Sequence, residues 1–187
     1  MQTLSPVYRA SASSQLLFRE PGIADGASLH RLIQVCPPLD LNSPYAYLLL
    51  CAHHARTCVV AESTDGIAGF ISSYRLPDAP ETLFVWQVAV APMARGQGLA
   101  GQMLRHLLTR PQMADCNWLE TTVTPSNQAS MNLFAALAAE LGLRSEKRVF
   151  FSTEDFGDQG HEAEILIRMG PLRPAAGIPS RNQEKQT

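Results

Sequence analysis

Residues 86–104 constrain the fold more than any other stretch. They read Trp86-Gln87-Val88-Ala89-Val90-Ala91-Pro92-Met93-Ala94-Arg95-Gly96-Gln97-Gly98-Leu99-Ala100-Gly101-Gln102-Met103-Leu104. The apolar run predicts a strand, Pro92 a turn, and the residues after Gly98 an amphipathic helix. Gly96 and Gly98 leave the loop backbone open to close approach. Loop N–H groups and a helix N-terminus then converge on one point, which is an anion site in outline. No Gly-Lys-Ser/Thr follows, so it is not a Walker loop. The third glycine of a dinucleotide fingerprint is also missing.

The 187 residues fit one domain. Residues 16–172 carry the periodic patterns. Residues 1–15 and 173–187 read as loose tails, rich in small and polar residues. The domain opens with a short strand at 16–19 and a helix with Asp25 as candidate N-cap and Leu29, Leu32, Ile33 and Cys36 on one face. Pro37-Pro38 stops it. Ser43 before Pro44 signals a second helix. Strands follow at 57–62 and 67–74, joined at Asp65-Gly66. A loop with Pro77 and Pro80 leads to a strand at 83–91. A helix at 98–110, a strand at 117–123 and a helix at 127–141 come next, and strands near 148–151 and 164–168 close the domain. Hairpins and crossovers together predict a mixed central β-sheet flanked by helices, in the α/β (α+β) class.

Composition narrows the function classes. Hydrophobic residues make up 45% of the chain and charged residues 17%, which is globular rather than disordered. The net charge of −2 gives no electrostatic reason to expect nucleic acid or an anionic membrane as partner. No apolar run reaches the roughly 18 residues of a membrane span. Residues 1–14 lack the apolar core of a secretory leader. Cys36, Cys51, Cys58 and Cys116 form no Cys-x-x-Cys pair and read as buried thiols. His53 and His54 lie between two of them, but adjacent histidines on a helix diverge, so no metal site is expected. Unpaired thiols point to a reducing, cytoplasmic compartment.

The loop Arg95-x-x-Gly98-x-Ala100 resembles the acetyl-CoA pyrophosphate loop of the GNAT N-acetyltransferases. The segment from Glu120 through Thr124-Pro125 to Asn127, Ser130 and Phe134 is similar to that family's next strand and helix. The resemblance implies a single GNAT-type domain with acetyl-CoA as cosubstrate. It implies that Val88 and Val90 of the strand, Arg95, Gly96, Gln97, Gly98, Leu99 and Ala100 of the loop, and Asn127 hold the cosubstrate. A helix-capping role for Asn127 is compatible with this. Members of the family often carry a tyrosine that protonates the leaving thiolate; the aligned residue here is Phe134, which has no proton to give.

Acetyl transfer to an amine sets further needs. An alkyl ammonium, with a pKa of about 10.4, must lose a proton to attack. A carboxylate can hold it and take that proton. Backbone N–H groups at a break in strand 83–91 would serve the oxyanion. The candidate acids are Glu120, on a strand face with Trp118 and Thr122, and Asp40, in a loop beside Asn42, Tyr45 and Tyr47. Glu120 is the stronger candidate for the base, because a strand-central acid is unusual without a partner. It reads alternatively as a paired charge on a solvated sheet face. Trp86, expected to share a face with Phe84 and Val88, and His161, in a polar loop, are candidate substrate contacts. Their alternatives are core packing and an isolated loop histidine.

At these residues the resemblance sharpens. Residues 39–51, Phe84–Val90, Leu119–Pro125 and His161-Glu162 with Ile165–Pro171 resemble the diaminobutyrate acetyltransferases of ectoine synthesis, over roughly residues 16–172. The implied substrate is a small diamino acid, acetylated at its 4-amino group. The resemblance also implies a homodimer. Glu120 would act as base, and Asp40, Asn42, Tyr45, Trp86 and His161 would bind substrate. Two alternatives remain at the level of sequence: an acetyltransferase for another small amine, such as a polyamine or drug, and a non-catalytic CoA-binding module.

Overall fold

The computed structural model describes residues 16–172. The expected tails at 1–15 and 173–187 lie outside the described residues. Seven strands form one sheet: β1 (Leu17–Arg19), β2 (Val59–Ser63), β3 (Gly66–Leu76), β4 (Ala79–Val90), β5 (Trp118–Val123), β6 (Arg144–Phe151) and β7 (Glu164–Gly170). Their order is β1-β2-β3-β4-β5-β7-β6. Every neighbouring pair is antiparallel except β4 and β5. That parallel pair needs a crossover, and α3 (Leu99–Leu108) supplies it. The other helices are α1 (Gly26–Gln34), α2 (Pro44–His53) and α4 (Gln128–Leu141).

The sheet is packed on both faces. Leu99, Met103, Leu104 and Leu107 of α3, with Phe134, Leu137 and Ala138 of α4, bury against Val59, Ile71, Leu83, Val85, Leu119 and Ile167. Each such large side chain contributes about 1.5–3 kcal/mol on burial. On the opposite face, Leu29, Leu32 and Ile33 of α1 and Tyr47, Leu50 and Cys51 of α2 pack on Val60, Phe70 and Ala89. That second cluster takes residues from β2, β3 and β4 and none from β5 to β7.

Several local details differ from expectation. Asp25 does not cap α1 with its side chain. Its carboxylate accepts from the Gly22 N–H at 2.7 Å and from both terminal nitrogens of Arg19. It thus closes the short 3₁₀ turn Ile23–Asp25 one turn earlier, and the Arg19 guanidinium holds its pKa below the ordinary value. Ser43 caps α2 as expected, its hydroxyl accepting from the Ala46 N–H at 3.3 Å. The expected loop at Pro77 and Pro80 is a tight β3–β4 hairpin, and Pro80 lies inside the start of β4.

The register of β4 matters most. Ser73 pairs with Val85 but Ser72 pairs with Gln87, so one residue, Trp86, is extra. This is a β-bulge, and it reverses the alternation. Leu83 and Val85 face the α3/α4 cluster, but Ala89 faces the α1/α2 cluster. Val88, past the bulge, packs against the α3/α4 side. Phe84 and Val88 therefore lie on opposite faces, contrary to the expectation that Trp86 shares a face with both.

Candidate active site

The site begins where β4 and β5 separate. They pair only from Thr82–Trp118 to Val85–Thr121. Beyond that both strands continue alone, β4 to Val90 and β5 to Val123. The Gln87 N–H points toward β3, donating to the Ser72 hydroxyl at 3.1 Å, and the Ala91 N–H reaches Ala68 on the same side. By strand alternation the Val88 and Val90 N–H groups point into the gap.

Two cavities meet at this gap. The larger, about 400 Å³, is lined by Val88, Val90, Arg95, Gly96, Gly98, Leu99 and Ala100, with Asn127, Ser130 and Leu133 of the α4 end. Gly96 and Gly98 adopt φ of +75° and +70°, which side chains other than glycine rarely adopt. A Cβ at either would meet no protein atom, since both face open space. Gly98 is the N-cap of α3 and offers no side-chain cap, so the first-turn N–H groups are available to an anion. The shape and chemistry fit a pyrophosphate. Gln97 does not line this cavity; its amide donates to the Met93 carbonyl. Asn127 caps α4, its Oδ1 accepting from the Ser130 N–H at 3.1 Å, and lines both cavities. Phe134 is buried in the core and lines neither.

The smaller cavity, about 130 Å³, is lined by Asp40, Trp86, Gln87, Thr122, His161 and Glu164, among others. Pro38, Leu39 and Asn127 are common to both. The lining holds two carboxylates and no lysine or arginine, so it suits a cation. Glu164 opens β7. Burial raises its pKa above the ordinary carboxylate value, and the Thr122 hydroxyl and nearby His161 pull it partly back. Its Oε2 is buried without a hydrogen-bond partner. The His161 ring stacks on Phe156, centroids 4.0 Å apart. Its Nδ1 faces the Glu162 carbonyl at 2.6 Å, and a carbonyl only accepts, so that nitrogen carries the proton. Nε2 then faces Glu164 at 4.0 Å.

Asp40, Trp86 and His161 are thus brought together as the sequence suggests. Asn42 and Tyr45 are not: neither lines the cavity, and Tyr45 is 66% exposed. The Asn42 N–H instead donates to the hydroxyl of buried Tyr47. Glu120 lies one residue short of the strand separation and lines neither cavity. Its carboxylate accepts from Arg168 at 2.5 Å, and that guanidinium sits 4.3 Å over the Trp118 ring. Glu120 is thus a paired charge, as in the alternative reading, but it is buried at 6% exposure rather than on a solvated face. Glu164, Thr122 and Gln87 are the residues that sequence reasoning missed. The available signal was an acid at the head of the apolar run Ile165–Ile167, two residues before Leu166 on the same strand face.

Residues 27–138 match the profile of the acetyltransferase (GNAT) family. The chain is 54% identical to the L-2,4-diaminobutyric acid acetyltransferase of Bordetella parapertussis, over 89% of this chain and 90% of the relative.

The chain belongs to the L-2,4-diaminobutyric acid acetyltransferases of the GNAT family.

It is therefore an acyltransferase. Its Halomonas elongata relative is 46% identical over 86% of this chain and 84% of its own. The diaminobutyrate acetyltransferase of Paenibacillus lautus, whose structure is solved in complex with its substrate L-2,4-diaminobutyric acid and coenzyme A, is 43% identical. It superposes with a TM-score of 0.85 over 88% of this chain and all of that one. The ribosomal-protein-S18-alanine N-acetyltransferase of Escherichia coli shares the fold alone, at 16% identity and TM-score 0.64.

Proposed function

We propose that this chain transfers the acetyl group of acetyl-CoA to the 4-amino group of L-2,4-diaminobutanoate, giving N4-acetyl-L-2,4-diaminobutanoate and CoA. In ectoine synthesis a separate enzyme then cyclises that product. The observation that carries the reading is the cavity lined by Asp40 and Glu164 that adjoins the glycine-loop cavity at the β4–β5 gap. The relatives' names supply the substrate class.

The residues divide the work. The loop 95–100 and the N-terminus of α3 hold the pyrophosphate, and Asn127 contacts the pantetheine arm between the cavities. Glu164, rather than Glu120, takes the proton from the reacting ammonium, because it lines the cavity, burial raises its pKa and makes it the stronger base, and one of its oxygens has no hydrogen-bond partner. The nitrogen attacks the thioester carbonyl, and the developing oxyanion accepts from the Val88 N–H. The nitrogen gives up its second proton as the C–S bond breaks, and the departing thiolate takes up a proton to leave as free CoA thiol. A thiol of pKa about 8.5 leaves acceptably without a tyrosine acid. Asp40, Trp86 and His161 enclose the substrate.

Incubation with acetyl-CoA and a panel of diamines tests the proposal. Thiol release with diaminobutanoate, with the acetyl group placed on N4 by NMR, is the expected result. Preference for a polyamine, or acetylation at N2, would overturn it. We further propose a cytoplasmic homodimer. Among the described residues no helix is long and apolar enough to cross a membrane. The edge strand β6 exposes Val149, Phe150 and Phe151 by 40–57%, and an open apolar edge is suited to a second copy.

A further inference from the structure

Gln87 is almost fully buried, at 4% exposure, and it lines the smaller cavity. Its Nε2 donates to the Asp40 carbonyl at 2.8 Å. A carbonyl can only accept, so the amide cannot be turned round: nitrogen faces Asp40 and Oε1 faces away. That Oε1 is buried with no hydrogen-bond partner. Two cavity residues, Gln87 and Glu164, thus each hold one buried oxygen lacking a donor. Buried acceptors are costly unless a donor meets them. A ligand that brings N–H donors to these two places would satisfy both.

We infer that Gln87 is a specificity-determining residue whose Oε1 accepts a hydrogen bond from the 2-ammonium of the diamino acid. This rests on the proposed reaction and deepens it. The two acceptors differ in chemistry. Glu164 can take a proton, so it belongs with the nitrogen that must lose one. An amide oxygen cannot act as base at neutral pH, so it suits the ammonium that stays charged throughout. Gln87 also ties that subsite to the loop bearing Asp40, a residue that lines the same cavity. The bulge at Trp86 is what turns Gln87 to this face of the sheet.

The test uses the full chain with three ligands: diaminobutanoate as substrate, and L-2-aminobutanoate and 4-aminobutanoate as competitive inhibitors. Gln87→Met should raise the KM for diaminobutanoate and the Ki of 2-aminobutanoate by about 10- to 100-fold. The Ki of 4-aminobutanoate and the KM of acetyl-CoA should stay within about twofold. Gln87→Glu keeps an acceptor but loses the donor to Asp40, so it should restore most of the affinity for 2-aminobutanoate. Equal loss for both analogues, equal damage by Met and Glu, or loss confined to 4-aminobutanoate would each overturn the inference. If Gln87→Met does not fold, the analogue comparison in Gln87→Glu decides alone. Failure of the wild type to acetylate diaminobutanoate would instead sink the proposed reaction.

Discussion

Two glutamates separate structure from chemistry at the scale of single residues. Glu120 sits under Arg168, and Glu164 faces an open cavity. Glu164→Gln keeps the shape and removes the proposed base, so kcat should fall about 10²–10⁴-fold. The sign of its pH dependence follows from burial. The carboxyl must be ionised to act, and its pKa is raised, so kcat/KM should fall as pH drops through a value above the ordinary carboxylate range. Steady-state profiles of the free enzyme should show that limb in the wild type and lose it in Glu164→Gln. The mutant's defect should shrink at high pH, where more amine is already neutral. Glu120→Gln should do the reverse. It weakens a charge-assisted bond and lowers stability by about 1–2 kcal/mol in urea titrations, with kcat within a fewfold of wild type. A hundredfold loss of kcat in Glu120→Gln would return the base to that residue.

Among the elements, the turn into α3 is the one whose backbone is proposed to hold the cosubstrate. Gly98 holds φ +70° with open space where a Cβ would project. Gly98→Ala should cost about 1 kcal/mol in backbone strain and also place a methyl group against the incoming phosphate. Gly142, the C-cap of α4, has φ +64°, faces open space too and lines neither cavity. The pair forms an internal control. Both alanine variants should lose similar stability by thermal melting. Only Gly98→Ala should raise the KM for acetyl-CoA, and an equal KM in the two variants would remove the loop from the cosubstrate site. The helix behind the loop is held by apolar packing rather than by capping. Leu104→Ala, at a site with no exposure, should cost about 2–5 kcal/mol.

Over the whole molecule, the sheet ends in a strand that the chain leaves open. β7 inserts between β5 and β6, so β6 is an edge, and all eight of its residues are exposed. Phe151 contacts Phe156, which stacks on His161, so this edge adjoins the substrate cavity. If a second copy covers it, the double substitution Val149→Lys with Phe151→Lys should halve the mass in sedimentation equilibrium. Activity should fall with it through loss of support for His161. A wild type that sediments as a monomer would refute the dimer proposal.

Local chemistry was legible where it is written in consecutive residues. The loop 95–100 declares itself through glycines that need positive φ, and the start of α2 through Ser43 and Pro44, because turns and caps are satisfied by near neighbours. Asp25 misled for the same reason: it is well placed to cap, but Arg19 competes for its carboxylate from an adjacent strand. β6 was half hidden because residues 144–147 are polar on an exposed edge and carry no alternation. Only the tertiary structure decided which acid meets the cavity. Alternation along an isolated strand predicts a face but not a partner, and the partner of Glu120 is Arg168, 48 residues away. Nor does an unbroken period of two reveal one extra residue in β4, since a bulge is defined by the strand beside it. That single residue turns Gln87 into the site, and no reading of β4 alone could place it there.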